Sequence, residues 1–160
     1  MVNWEQRKRV GDSLERRVAE ELRGRGWHVN AWGQGVLDEP VRQALRATET
    51  FARWTPDLVV ARNRTVCFVD CKANMTGRVS RRHAIERAAV RAHLQLVAWN
   101  NLPVYYVFDS LGVATPYDVL MAGEPGGTPR VGSGAPYFLI SAAYDRSFDS
   151  IFGDAKDSAA

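Results

Sequence analysis

Cysteine is scarce in this 160-residue chain, which holds two, Cys67 and Cys71. Four residues apart on one extended run, they stand roughly 13 Å from each other, beyond the reach of a disulfide. Nothing nearby supplies the third and fourth ligands of a zinc site. They read as reduced core thiols, as expected in a cytoplasmic protein. Long apolar runs are missing as well: none approaches the roughly 18 residues of a membrane span, and MVNWEQRKRV does not read as a signal peptide. The expectation is a cytoplasmic protein with no membrane partner. Internal repeats and long linkers are also absent, so residues 1–152 are expected to form one domain, with a disordered tail over 153–160.

Basic residues are thin after residue 99. Residues 1–99 hold 18 Lys and Arg against 11 Asp and Glu, whereas residues 100–160 hold 3 against 7. A basic body with an acidic end suits a polyanionic partner as well as an ordinary solvated surface.

Periodicity sets out the elements. Val10, Leu14, Val18 and Leu22 recur every four residues and predict an amphipathic helix over Trp4–Arg23, stopped by Gly24 and Gly26. Glu15 sits on the flank of that stripe, where a carboxylate either pairs with a neighbouring Arg or faces a site. A strand is expected over Trp27–Trp32, then a long connection with a short helix somewhere in Pro40–Thr50. Ser80 is placed to cap a second helix, Arg81–Trp99, burying Ile85, Ala88, Ala92, Leu96 and Trp99. Arg78, Arg81, Arg82, Arg87 and Arg91 then line its exposed side and the loop before it, either as a solvated face or as a phosphate-gripping edge. A strand over Pro103–Phe108, a helix over Pro116–Met121, a glycine-rich loop over Gly123–Gly134 and an edge strand over Pro136–Ile140 follow. His28, His83 and His93 show no metal-ligand spacing and read as surface or helix-flank residues. Most of the five tryptophans are expected in the core, but Trp32 and Trp54, beside the long connection, are placed to stack on an unpaired base.

The stretch WTPDLVVARNRTVCFVDCK, residues 54–72, carries the chemistry. Two apolar runs flank the polar turn Arg62-Asn63-Arg64, which predicts a hairpin. Asp57 opens the first strand, and Asp70 and Lys72 end the second on one face, because side chains alternate. Ionisable groups ending a buried strand are costly unless they pair or bind a metal.

With Glu15 on an upstream helix, Pro56-Asp57, twelve intervening residues and Asp70-Cys71-Lys72, the chain resembles the PD-(D/E)XK nuclease superfamily over residues 10 to 109. Its members include restriction endonucleases, archaeal-type Holliday junction resolvases and RecB-like nucleases. The resemblance implies an α/β fold with a restriction-endonuclease-like mixed β-sheet flanked by helices, in α-β-β-β-α-β order. It also implies a catalytic set of Glu15, Asp57, Asp70 and Lys72, with Gln95, four residues before Trp99, standing in a Gln-x-x-x-Tyr-like element of RecB-like members. The implied metal ligands are Asp57, Asp70, the Cys71 backbone carbonyl and Glu15, directly or through water. Oxygen donors of this kind suit Mg²⁺ or Mn²⁺, and Lys72 is then placed either to orient the attacking water or to stabilise charge developing on a phosphate. The function expected is a metal-dependent DNA endonuclease, structure-selective like the junction resolvases and acting as a homodimer, with Arg78, Arg81 and Arg82 gripping DNA. Rival readings are a RecB-like exonuclease, a restriction-type endonuclease, or a nucleic-acid-binding module without catalysis.

Overall fold

The computed structural model describes residues 4–126 and 135–155, with side chains described from Gly11 onward. The N-terminal stripe folds as α1 (Trp4–Gly24), whose Leu14, Val18 and Leu22 are buried. Gly26, at φ 80°, turns the chain into β1 (His28–Ala31). The connection that follows contains a 3-10 turn at Gln34–Val36, then α2 (Glu39–Arg46), then a second 3-10 turn at Phe51–Trp54 capped by the Thr50 hydroxyl. β2 (Leu58–Arg62) and β3 (Thr65–Lys72) form the expected hairpin. Leu58 pairs with Val69 and Arg62 with Thr65, so the turn proper is Asn63-Arg64, with Asn63 left-handed at φ 55°.

After β4 (Arg82–Glu86) comes α3 (Arg87–Asn100), which stops on the left-handed Asn101, φ 56°. β5 (Val104–Phe108) then runs parallel to β3, as a helical crossover permits. β6 (Val113–Ala114), α4 (Pro116–Ala122), β7 (Glu124–Pro125), β8 (Tyr137–Ser141) and α5 (Phe148–Phe152) complete the described chain. α4 starts on a reciprocal cap between Thr115 and Asp118.

The strands form a mixed five-stranded sheet, ordered β1-β2-β3-β5-β6, and a small antiparallel one, β4-β8-β7. β3 is central in the larger sheet and apolar on both sides. On one side Leu58, Val60, Cys67, Val69 and Val107 pack against α1 and the α5 phenylalanines. On the other, Phe68, Val104, Tyr106 and Phe108 pack against Val90 of α3, Val119 of α4, and Ile85 and Ile140 of the small sheet. Each fully buried side chain of this size contributes about 1.5–3 kcal/mol, so the β2–β3 hairpin is backed from both sides.

Several expectations are corrected. The helix predicted from Arg81, with Ser80 as cap, begins at Arg87 instead, and Arg82–Glu86 is a strand. The sequence RHAIE alternates, burying His83 and Ile85, and its partner β8 lies some 55 residues downstream, outside any local window. With Ile85 in a strand instead of the helix, the buried stripe is Ala89, Val90, Ala92 and His93, while Ala88 and Trp99 are exposed, Trp99 by 91%. β8 is not an edge strand but the middle of the small sheet. Nor are all the histidines superficial. His83 is fully buried, bonded to the Asp145 carboxylate at 2.9 Å and the Thr76 hydroxyl at 2.8 Å, with its ring stacked on Phe108. That contact rivets the small sheet to the large one. Among the described tryptophan side chains, Trp27 alone is a core residue. Of the tail, Gly153 is packed, its carbonyl accepting from Arg25 Nε at 2.8 Å, while residues 156–160 and the 127–134 part of the glycine-rich loop lie outside the described residues.

Candidate active site

One step beyond the paired Leu58 and Val69, the β2–β3 ladder brings Asp57 opposite Asp70. Leu58 and Val69 point towards α1, so alternation turns Asp57, Asp70 and Lys72 to the α3 side. There they line a cleft of about 240 Å³ together with Gln34, Gly35, Arg53, Trp54, Thr55, Ala89 and His93. Asp57 Oδ2 accepts from the Cys71 amide at 2.7 Å, which fixes its carboxyl across the strand gap.

The electrostatics describe an under-neutralised pair. Burial, then the facing Asp70 charge, push Asp57 up to about 8, against an ordinary 3.8; the Cys71 amide and Lys72 offset this only in part. Asp70 Oδ2 is buried, and the Lys72 ammonium sits against it as an ion pair. Burial alone would lower Lys72, but Asp70 and Asp57 outweigh it and raise the ammonium pKa. Among the described residues no three His, Cys, Asp or Glu side chains converge as a ready-made metal cage. Mg²⁺ does not need one, since it keeps several waters and binds through one or two carboxylates. Two buried, facing carboxyl groups, one with its pKa pushed up by the other's charge and a single lysine to balance them, fit a hard divalent cation.

Glu15 is not part of this cleft. It lines a separate one on the α1 side with Asp12, Arg16 and Arg23. It remains within electrostatic reach, for its pKa is raised by burial, by Asp12 and by Asp70. The Cys71 thiol faces α1, and burial with the surrounding carboxylates drives its pKa upward, so it is chemically quiet. Burial likewise holds Cys67 up at about 12. Gln95 is exposed on α3 and does not line the cleft. Arg78 and Arg81 are exposed on the loop before β4, whereas Arg82 is ion-paired with Glu124.

His93 was not expected here. Its Nε2 lies 2.6 Å from the Trp54 carbonyl and its Nδ1 2.9 Å from the Tyr106 hydroxyl. A carbonyl only accepts, so Nε2 carries the hydrogen and Nδ1 accepts from Tyr106. Burial lowers the imidazole pKa, consistent with that neutral form. The Tyr106 ring in turn lies 5.2 Å from the Lys72 ammonium. His93 therefore ties the segment leading to Asp57 onto the strand that backs Lys72. The signal was its position four residues after Ala89, hidden by the misplaced helix start.

No family model and no curated protein matches the sequence. In three dimensions the chain is similar to Hjc, a Holliday junction resolvase from Archaeoglobus fulgidus, with a TM-score of 0.58 and 14% identity over 90% of this chain and 96% of that one. It is also similar to D212, a nuclease from a fusselovirus, with a TM-score of 0.51 and 13% identity over 89% and 90%. At such identities the likeness is one of fold, and the fold is the one expected from the PD-(D/E)XK resemblance.

Proposed function

We propose that this chain is a divalent-metal-dependent DNA endonuclease, structure-selective in the manner of a junction resolvase. The observation that carries the reading is the convergence of Asp57, Asp70 and Lys72 in one cleft at the ends of paired strands. Asp57, Asp70 and the Cys71 carbonyl would hold Mg²⁺ or Mn²⁺, with Glu15 contributing from the far side through its charge or through water. A bound cation supplies Lewis acidity to the phosphate and lowers the pKa of a coordinated water. Lys72 balances the charge that builds on the phosphoryl oxygens, and its seat against Asp70 and the Tyr106 ring holds it in place for that role. His93 keeps the Asp57-bearing segment in register. Arg78 and Arg81 are free of charged partners among the described residues and are assigned to the DNA backbone, with Arg82 shared with Glu124. Action as a homodimer would place two such sites on two strands.

The test is incubation of the protein with labelled four-way junction, duplex and single-stranded DNA, in Mg²⁺ and in EDTA. Metal-dependent cutting, strongest on the junction, is the expected result. Undiminished cleavage in excess EDTA, or none on any DNA, removes the reading.

A further inference from the structure

The insertion between β1 and β2 is ordered but builds no core: neither α2 nor the two 3-10 turns flanking it contain a buried residue. Connections this long inside compact domains usually have a functional task. This one is fastened to the catalytic strand ends. The amides of Trp32 and Gly33 both donate to the Asp57 carbonyl, at 2.7 and 3.2 Å. A Cβ on Gly33 would lie 2.8 Å from the Pro56 carbonyl oxygen, so backbone touches backbone there. At its far end the Trp54 carbonyl is held by His93.

Its surface carries aromatic rings that the core does not use. Trp32 is 49% exposed and Phe51 48%. The Trp32 indole leans on Phe68, ring centroids 5.9 Å apart, and Phe68 precedes Asp70 by two residues on the same face of β3. Trp54 walls the cleft itself, with the Arg53 guanidinium 5.3 Å from its ring centroid. Arg42 and Arg46 stand on the adjoining helix but are shared with Glu39, Arg42 at 2.6 Å and Arg46 more loosely at 3.8 Å, so Arg53 is the cation best placed for a phosphate. Half-exposed rings among arginines are the chemistry that binds an unpaired nucleotide, with a flat face for the base and cations for its phosphate. Bases within an intact duplex are stacked on both faces and offer no such surface.

We propose that this insertion receives an unpaired nucleotide beside the scissile phosphate, its base stacked on Trp32. The substrate is then DNA with unstacked bases, branched or single-stranded, and not uninterrupted duplex. The inference rests on the nuclease reading and narrows it.

DNAs carrying 2-aminopurine, either unpaired in a flap or paired within a duplex, are titrated with the intact protein in Ca²⁺, with cleavage followed in parallel in Mg²⁺. The wild type should bind the unpaired probe more tightly and quench its fluorescence. Trp32→Ala should lose the quenching and about 10-fold in affinity for the unpaired probe, with about the same duplex affinity as wild type. Trp32→Phe should keep most of both, which separates loss of stacking from loss of folding. Equal wild-type affinity for the two DNAs, an equal loss on both in Trp32→Ala, or quenching that survives that substitution overturns the inference. Cleavage without selective quenching removes the inference and leaves the nuclease; selective quenching without cleavage leaves a nucleotide-binding surface but removes the scissile phosphate, and with it both the nuclease reading and the inference.

Discussion

Because Asp57 keeps its proton up to about pH 8 while an exposed aspartate loses it near 3.8, the metal-free protein responds to pH in an unusual direction. A raised carboxyl pKa favours the folded state fully at low pH, and that advantage fades as pH rises through the folded value. Glu15, also raised, acts in the same sense, whereas raised Lys72 matters only near and above 10.5. Melting temperature without metal is therefore expected to fall between about pH 5 and pH 8. Asp57→Asn should flatten that fall and melt higher than wild type at pH 8, by about 2–4 °C for each kcal/mol recovered in a chain of this size. A scan in which wild type and variant run parallel across this window rules the account out. Asp70→Asn should abolish cleavage while DNA binding holds or improves, since it removes both a ligand and a charge that repels phosphate. Full turnover by that variant would place the chemistry elsewhere.

At the scale of elements, the proposed DNA path runs along the loop before β4 and the start of α3. Arg82 already spends its charge on Glu124, so Arg78 and Arg81 are the pair to neutralise. Their double Ala variant should weaken binding to all sequences alike and flatten the salt slope by about 0.9 per lost phosphate contact. A slope identical to wild type would return these arginines to an ordinary solvated surface. His93→Leu should cost about 1–3 kcal/mol, because it strands the Trp54 carbonyl and the Tyr106 hydroxyl; unchanged denaturation would contradict the clamp. These elements also show what could be read in advance. The β2–β3 hairpin and its two aspartates were legible because alternation, a polar turn and spacing are all local. β4 was not, since its strand character is supplied by Tyr137–Ser141 far along the chain. His93 was missed for the same reason, as the false helix start displaced the buried face. Glu15 was read as a site-flanking carboxylate, but sequence periodicity could not show that it lines a separate cleft on the α1 side.

For the whole molecule, binding of a cation to the native cleft alone should stabilise the fold by mass action, about 2.7 kcal/mol at a hundredfold excess over Kd. A melting temperature that rises with Mg²⁺ in wild type but not in Asp70→Asn is the expected calorimetric result. A rise of equal size in both would point to binding elsewhere. The two ends of the described chain meet: α5 contributes Phe148 and Phe152 to the packing around α1, Trp27 Nε1 donates to the Phe152 carbonyl at 2.8 Å, and Arg25 joins Asp149 and Gly153. During synthesis this arrangement imposes an order. Until α5 has formed, one side of the central sheet lacks its closing aromatics. A released chain cut short after Ser147 should consequently remain open to protease, and one that extends through Gly153 should close.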